Sequence, residues 1–74
     1  MITNITINRD DNVKKQIFRA NDVAIIPNVR DYIKIGDDNH RVVERTFEYF
    51  PSTKKAEICE CTLTVEKLGI EVNL

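Results

Sequence analysis

The sequence predicts an all-β domain, a small antiparallel barrel or strongly curled sheet of five to six strands. Three observations carry this. Ile, Val and Thr make up 23 of the 74 residues, against three Ala and three Leu; β-branched side chains lose freedom in helices and pack well on a pleated surface. Apolar and polar residues alternate with period two in several segments, the signature of a strand with one buried face. Short clusters of Asp, Asn, Gly and Pro separate those segments, as turns require.

Taken in order, Ile2 to Asn8 is the first strand, with Ile5 and Ile7 on one face and Thr6 and Asn8 on the other. The run Arg9-Asp10-Asp11-Asn12 turns the chain, because Asp and Asn bond their own backbone and tolerate left-handed conformations. Val13 to Ala20 follows as the second strand of a hairpin, with Ile17 on one face and Gln16 and Phe18 on the other. Asn21-Asp22 interrupts, and a short run from Val23 to Ile26 ends at Pro27, which cannot donate to a strand ladder. Asp31 to Ile35 is the third strand, Ile33 and Ile35 inward, Tyr32 and Lys34 outward. Gly36-Asp37-Asp38-Asn39 is the clearest turn.

The fourth strand runs from His40 to Phe50. Val43, Phe47 and Tyr49 share one parity and Val42 and Phe50 the other, so a single face cannot hold both sets. A bulge or strong bend is expected near Glu44 to Thr46. Pro51 to Lys55 is a loop. From Glu57 to Lys67, Cys59, Cys61, Leu63 and Val65 alternate with Glu60, Thr62, Thr64 and Glu66, the most regular strand in the chain. After Gly69 the tail Ile70 to Leu74 alternates again, as a sixth strand, an arm toward another subunit or a frayed end.

A sheet this small leaves exposed edges unless it curls, which favours an SH3-like or OB-like barrel. The short loops favour the SH3-like form, since an OB-fold usually carries a helix between its third and fourth strands. The stretch Ile26-Pro27-Asn28-Val29-Arg30-Asp31-Tyr32-Ile33-Lys34-Ile35-Gly36, followed by Arg41-Val42-Val43-Glu44-Arg45-Thr46-Phe47, resembles a pattern of many small β-barrels. That pattern is Pro-x-Val-Gly-Asp, an alternating strand, a tight turn and a Val-Val strand. Such barrels are common among short proteins of phages and other mobile elements. The resemblance implies a phage or mobile-element accessory protein, an inhibitor of a host defence factor being one version. Arg30 stands where glycine is usual, so the backbone there must avoid positive φ or carry strain.

Composition narrows the function classes. Eleven Lys and Arg face twelve Asp and Glu, a formal charge of −1. A sequence-blind nucleic-acid binder is usually strongly basic, and a nucleic-acid mimic strongly acidic. No apolar run approaches the roughly 18 residues of a membrane span, and the first residues lack the pattern of a signal peptide; the expected location is cytoplasmic. One His and two Cys fall short of a structural zinc site, and no cofactor motif is present. Cys59 and Cys61, two apart on a strand, are expected as buried reduced thiols. His40 is expected in an exposed loop, Asp10-Asp11 and Asp37-Asp38 as turn residues. No catalytic residue is expected.

Two surfaces remain. Phe18, Phe50 and Ile58, with Ile70, Val72 and Leu74 of the tail, fall on outward parities. Large apolar groups on so small a chain are expected to be covered by a protein partner or by self-association into a homo-oligomer. Arg30, Tyr32, Lys34, Arg41 and Arg45 form a basic and aromatic face suited to stacking on bases and touching phosphates, an alternative role in nucleic-acid binding. Outward Glu44, Glu48, Glu57, Glu60 and Glu66 are expected to pair with these cations and weaken their field.

Overall fold

The computed structural model describes residues 2–11, 15–50 and 57–69. Five strands, β1 (Ile2–Arg9), β2 (Gln16–Ala20), β3 (Tyr32–Ile35), β4 (Asp38–Phe50) and β5 (Ile58–Lys67), form one sheet in the order β2-β1-β5-β4-β3. The described residues contain no helix, and hence none able to cross a membrane. The expected tail strand with Ile70, Val72 and Leu74, the loop Pro51 to Lys55 and the start of the second expected strand at Val13 lie outside the described residues.

One pair departs from the all-antiparallel pattern. β5 lies in the centre and runs antiparallel to β4 but parallel to β1, with Ile5 beside Cys61 and Ile7 beside Leu63. Two hairpins, β1–β2 and β3–β4, therefore flank a central strand that comes last in sequence among the described strands. The sheet is mixed because the connection from β2 to β3 crosses from one edge to the other.

The sheet curls into a half-barrel. Ile17 and Ala20 of β2 and Ile33 and Ile35 of β3, at opposite ends of the strand order, pack on one core of Ile5, Ile7, Val42, Cys61, Leu63 and Val65. The alternation along β5 is obeyed without exception: Cys59, Cys61, Leu63 and Val65 are buried and the residues between them are not. Val23 and Ile26 of the crossing connection add to the same core. That connection is tied down where the Val23 amide donates to the Thr3 carbonyl, at 2.8 Å.

Two bulges set which side chains face inward. In β4, Val42 stands opposite Val65 but Glu44 opposite Thr64, so Val43 is the extra residue. The bulge expected near Glu44 to Thr46 thus lies one residue earlier. In β2, Phe18 stands opposite Ile7 but Gln16 opposite Asn8, making Ile17 extra. Between β3 and β4 the turn is the two residues Gly36 and Asp37, with Gly36 at φ 61° and Asp37 at negative φ. This is the pattern of a type II′ hairpin, whose first central position favours glycine.

Leu63 has no exposed surface and sits in the central strand. Leu63→Ala should cost about 2–5 kcal/mol, comparable to the whole margin of roughly 3–5 kcal/mol expected of so small a core. Urea unfolding followed by circular dichroism should find this variant largely unfolded in buffer, whereas Thr64→Ala on the opposite face should lose under about 1 kcal/mol.

Candidate functional site

The bulge at Val43 divides the basic residues between two faces. Up to Arg41, β4 presents His40 and Val42 to the core and Arg41 to solvent. Past the extra residue the parity reverses relative to chain numbering, so Arg45, Phe47 and Tyr49 stand opposite Leu63, Cys61 and Cys59, on the core side of the sheet. Arg45 is therefore not part of the face that carries Arg30, Tyr32, Lys34 and Arg41. Tyr32 is paired directly with Arg41, and Lys34 lies two residues farther along β3 with the same parity.

Arg30, Tyr32 and Arg41 do come together. With Val29, Val42 and Val43 they line a shallow cleft of about 500 Å³. Arg41 is paired with Glu66, the cross-strand neighbour expected to offset it. Arg30 and Lys34 make no ion pair among the described residues.

Arg30 also carries strain. Its φ is 81°. The Asp31 amide donates to the Asn28 carbonyl at 3.0 Å, closing a four-residue turn whose third position is Arg30. That position in a type II turn requires positive φ and favours glycine. The expectation that a side chain in the glycine place must avoid positive φ or carry strain resolves as strain. The turn is held from several sides: the Asn28 amide donates to Asp31 Oδ2 at 2.8 Å, the Arg30 amide to the Val42 carbonyl at 2.8 Å, and the Val42 amide to the Asp31 carbonyl at 2.9 Å.

On the other face, Arg45, Phe47 and Tyr49 form a ladder. The Arg45 guanidinium lies 5.1 Å from the centre of the Phe47 ring, and the Phe47 and Tyr49 rings are 6.4 Å apart with planes 23° from parallel. Arg45 also donates to Asn28 Oδ1 at 2.6 Å, which locks its guanidinium and ties the strained turn to the sheet. Phe47 is 39% exposed and Tyr49 61%. Here the sheet extends beyond the core, because no element covers the distal half of β4 among the described residues. Sequence reasoning grouped Phe47 with Tyr49 but did not see them as a surface; placing the bulge at Val43 would have joined them to Arg45.

The expected apolar set is also divided. Phe50 and Ile58 are cross-strand partners on the convex face, half exposed, beside the ladder. Phe18 was expected to point outward with Gln16. The bulge at Ile17 turns it to the face of Ile7 instead, at the mouth of an apolar cleft of about 390 Å³ between β2 and β3. Ile5, Ile33 and Ile35 line that cleft, with Lys34 at its rim. Ile70, Val72 and Leu74 lie outside the described residues.

His40 corrects its expectation. It lies in β4, as the strand expected from His40 to Phe50 has it, but it is 3% exposed and not on an exposed loop, because its parity is that of Val42 and it stands opposite inward-facing Ile33. Its Nδ1 finds no hydrogen-bond partner among the described residues. Cys59 and Cys61 are free buried thiols at the far half of β5, opposite Tyr49 and Phe47, whereas His40 stands opposite Lys67. Six residues of strand, about 20 Å, separate the imidazole from the nearer thiol. Burial pushes the Cys61 thiol up, with the neighbouring Cys59 adding to it, so the thiolate that reacts is disfavoured. No cluster of His, Cys, Asp or Glu among the described residues has the makings of a metal site.

The convex face also carries a polar group that bridges three strands. Asn4 Nδ2 donates to Glu60 Oε1 at 3.0 Å and Arg19 Nη1 to Glu60 Oε2 at 3.4 Å, bridging β1, β5 and β2. Glu48 stands opposite Glu60 on β4, a like-charge neighbour that Arg19 offsets.

No protein-family model matches this chain, and no curated protein or solved structure is detectably similar to it.

Glycine suits the Arg30 conformation. Relieving the left-handed strain is worth about 1–2 kcal/mol and the added freedom of the unfolded chain costs about 0.5–1 kcal/mol. Arg30→Gly should therefore raise the melting temperature by a few degrees, and Arg30→Ala, which keeps the Cβ, should leave it within error in the same calorimeter.

The hydrogen bond from Asn4, and then Arg19, holds the Glu60 carboxyl below the usual carboxylate range. Its folded-state pKa is depressed, so its contribution is present above about pH 4.3, the unfolded value, and is lost as pH falls through the folded one. Acid titration of urea midpoints should show a shallower loss below that pH for Glu60→Gln than for the native chain.

Proposed function

We propose that this chain is a non-catalytic protein-interaction module of the cytoplasm. The observation that carries the reading is the exposed ladder of Arg45, Phe47 and Tyr49, continued around the strand ends by Phe50 and Ile58. Arg, Tyr and Phe are the side chains that interface cores favour, because each contributes a large contact area from a stiff group. Arg45 is already fixed by Asn28, so little freedom is lost when a partner covers it. The partner is a protein, either a second copy or a host factor. The resemblance of the 26–47 stretch to small barrels of phages and mobile elements extends the reading to an accessory role, inhibition of a host defence factor being one form.

A second reading rests on Arg30, Tyr32 and Arg41 lining one cleft, with Arg30 free of ion pairs among the described residues. It makes the chain a binder of single-stranded nucleic acid.

Paired substitutions separate the two. A protein partner should co-purify with the native chain and be lost from the Phe47→Lys, Tyr49→Lys double variant. The purified complex should change affinity little between about 50 and 200 mM salt. Single-stranded oligonucleotide binding that falls steeply over that range and disappears with Arg30→Glu would favour the second reading. A partner retained by the double variant would remove the ladder from the first.

A further inference from the structure

β4 outruns its neighbour. It pairs with β5 as far as Phe50 opposite Ile58, but β3 covers only Asp38 to Arg41 on its other side. The backbone of Arg30 and Asp31 carries that pairing one residue farther, to Val42. From Glu44 to Phe50 this side of β4 has no backbone partner among the described residues. An open edge is a template for another strand, and proteins commonly blunt one with Pro, Lys or a covering element. Glu44 to Phe50 contains neither Pro nor Lys, and its three charged residues, Glu44, Arg45 and Glu48, carry both signs, so they restrict which register can form instead of repelling every second strand. The one bulge lies at its start, leaving the rest regular.

We propose that this edge pairs antiparallel with the same edge of a second copy, about a two-fold axis at Phe47. The inference rests on the protein-interaction reading and names the partner as the chain itself. Two copies would then share one continuous sheet with their ladders side by side.

Among registers centred on Arg45, Thr46, Phe47 or Glu48, the sequence of the edge favours one. Centred on Phe47, each Phe47 meets its counterpart, each Arg45 meets the second copy's Tyr49, each Thr46 meets Glu48 and each Glu44 meets Phe50. No like charges stand directly opposite. Centred on Arg45, the two guanidiniums oppose each other. On Thr46, Glu44 opposes Glu48; on Glu48, the two carboxylates meet. Like charges directly opposite destabilise a pair, whereas aromatic pairs stabilise it. The Phe47 register alone among these four also places a guanidinium against a tyrosine ring. Because opposed residues have the same parity, Arg45, Phe47 and Tyr49 of both copies fall on one face and cover each other's flanks. The pairing is isologous and closes on itself, so it consumes the open edge of both copies.

The test is the mass in solution by light scattering, from low micromolar to millimolar concentration. The native chain should give a concentration-dependent dimer. Phe47→Lys should raise the dissociation constant by about thirtyfold or more, the size of a hot-spot loss, with its circular dichroism unchanged. Ile25→Lys, at an exposed apolar residue beside the β2–β3 cleft, should leave the dimer intact. Because Phe47→Lys could fail by unfolding, Phe47→Cys serves as a gain of signal. Made together with Cys61→Ala, which removes the free thiol directly across from it, it should form a disulfide-linked dimer on mild oxidation, and Glu44→Cys in the same background should not. A native monomer throughout, with no Phe47→Cys cross-link, would overturn the pairing, while loss of a host partner from the ladder variant would still uphold the interaction reading. A dimer broken by Ile25→Lys but not by Phe47→Lys would overturn it by moving the interface to the cleft.

Discussion

One extra residue, Val43, decides how the chemistry of this molecule is distributed. Side chains alternate strictly along a strand, so inserting a single residue exchanges the faces of everything beyond it. Before the bulge, β4 gives His40 and Val42 to the core and Arg41 to solvent. After it, Arg45, Phe47 and Tyr49 share the side of Cys59, Cys61 and Leu63. Without Val43 as an insertion, Glu44 would face inward over the core and the aromatic residues would stand on the convex face with Arg41. The bulge thus keeps the carboxylates outside and makes two separate surfaces from one long strand.

The fold class was legible because its signals are local and repeated. The alternation of β5 from Cys59 to Val65 is obeyed at every position, and Gly36-Asp37 sits at the turn its chemistry suits. The need for a bulge in β4 followed from two apolar parities that no flat strand could serve. Its position did not follow, because Val43, Glu44, Arg45 and Thr46 each tolerate being the extra residue, and only the pairing with β5 chooses among them. The parallel placement of β1 beside β5 was hidden for a related reason: period two says which face a residue occupies and nothing about which strand lies beside it. His40 was misread because its neighbours Asp37, Asp38 and Asn39 look like turn residues, whereas the turn consumes only Gly36 and Asp37. Of the candidate surfaces, the pairing of Tyr32 with Arg41 and of Phe50 with Ile58 follows from neighbouring strands. The separation of Arg45 and the inward turn of Phe18 follow from bulges.

Two features cost stability without serving the core. Arg30 occupies a conformation that suits glycine, and Nδ1 of His40 is buried without a partner among the described residues. The strained turn is clamped by three backbone hydrogen bonds, by the Asp31 carboxylate and by the Arg45 guanidinium reaching across from the sheet. Strain persists where the surroundings over-determine it, and it gathers where a side chain must be held in a given place. Here it holds the Arg30 position beside Tyr32 and Arg41. For the orphaned imidazole the structure offers no comparable compensation.

The parallel pairing of β1 with β5 bears on the order in which the molecule can be made. Each hairpin forms from neighbouring sequence, but the strand that joins them is synthesised after both. Until β5 leaves the ribosome, the inner edges of β1 and β4 are open and Ile5, Ile7 and Val42 have no central layer to pack on. Such non-local closure is slow, and its precursors are prone to aggregate. The sheet therefore cannot assemble strand by strand as the chain emerges. It closes in one late event, and the interval before that event is when the nascent chain is most exposed to mispairing.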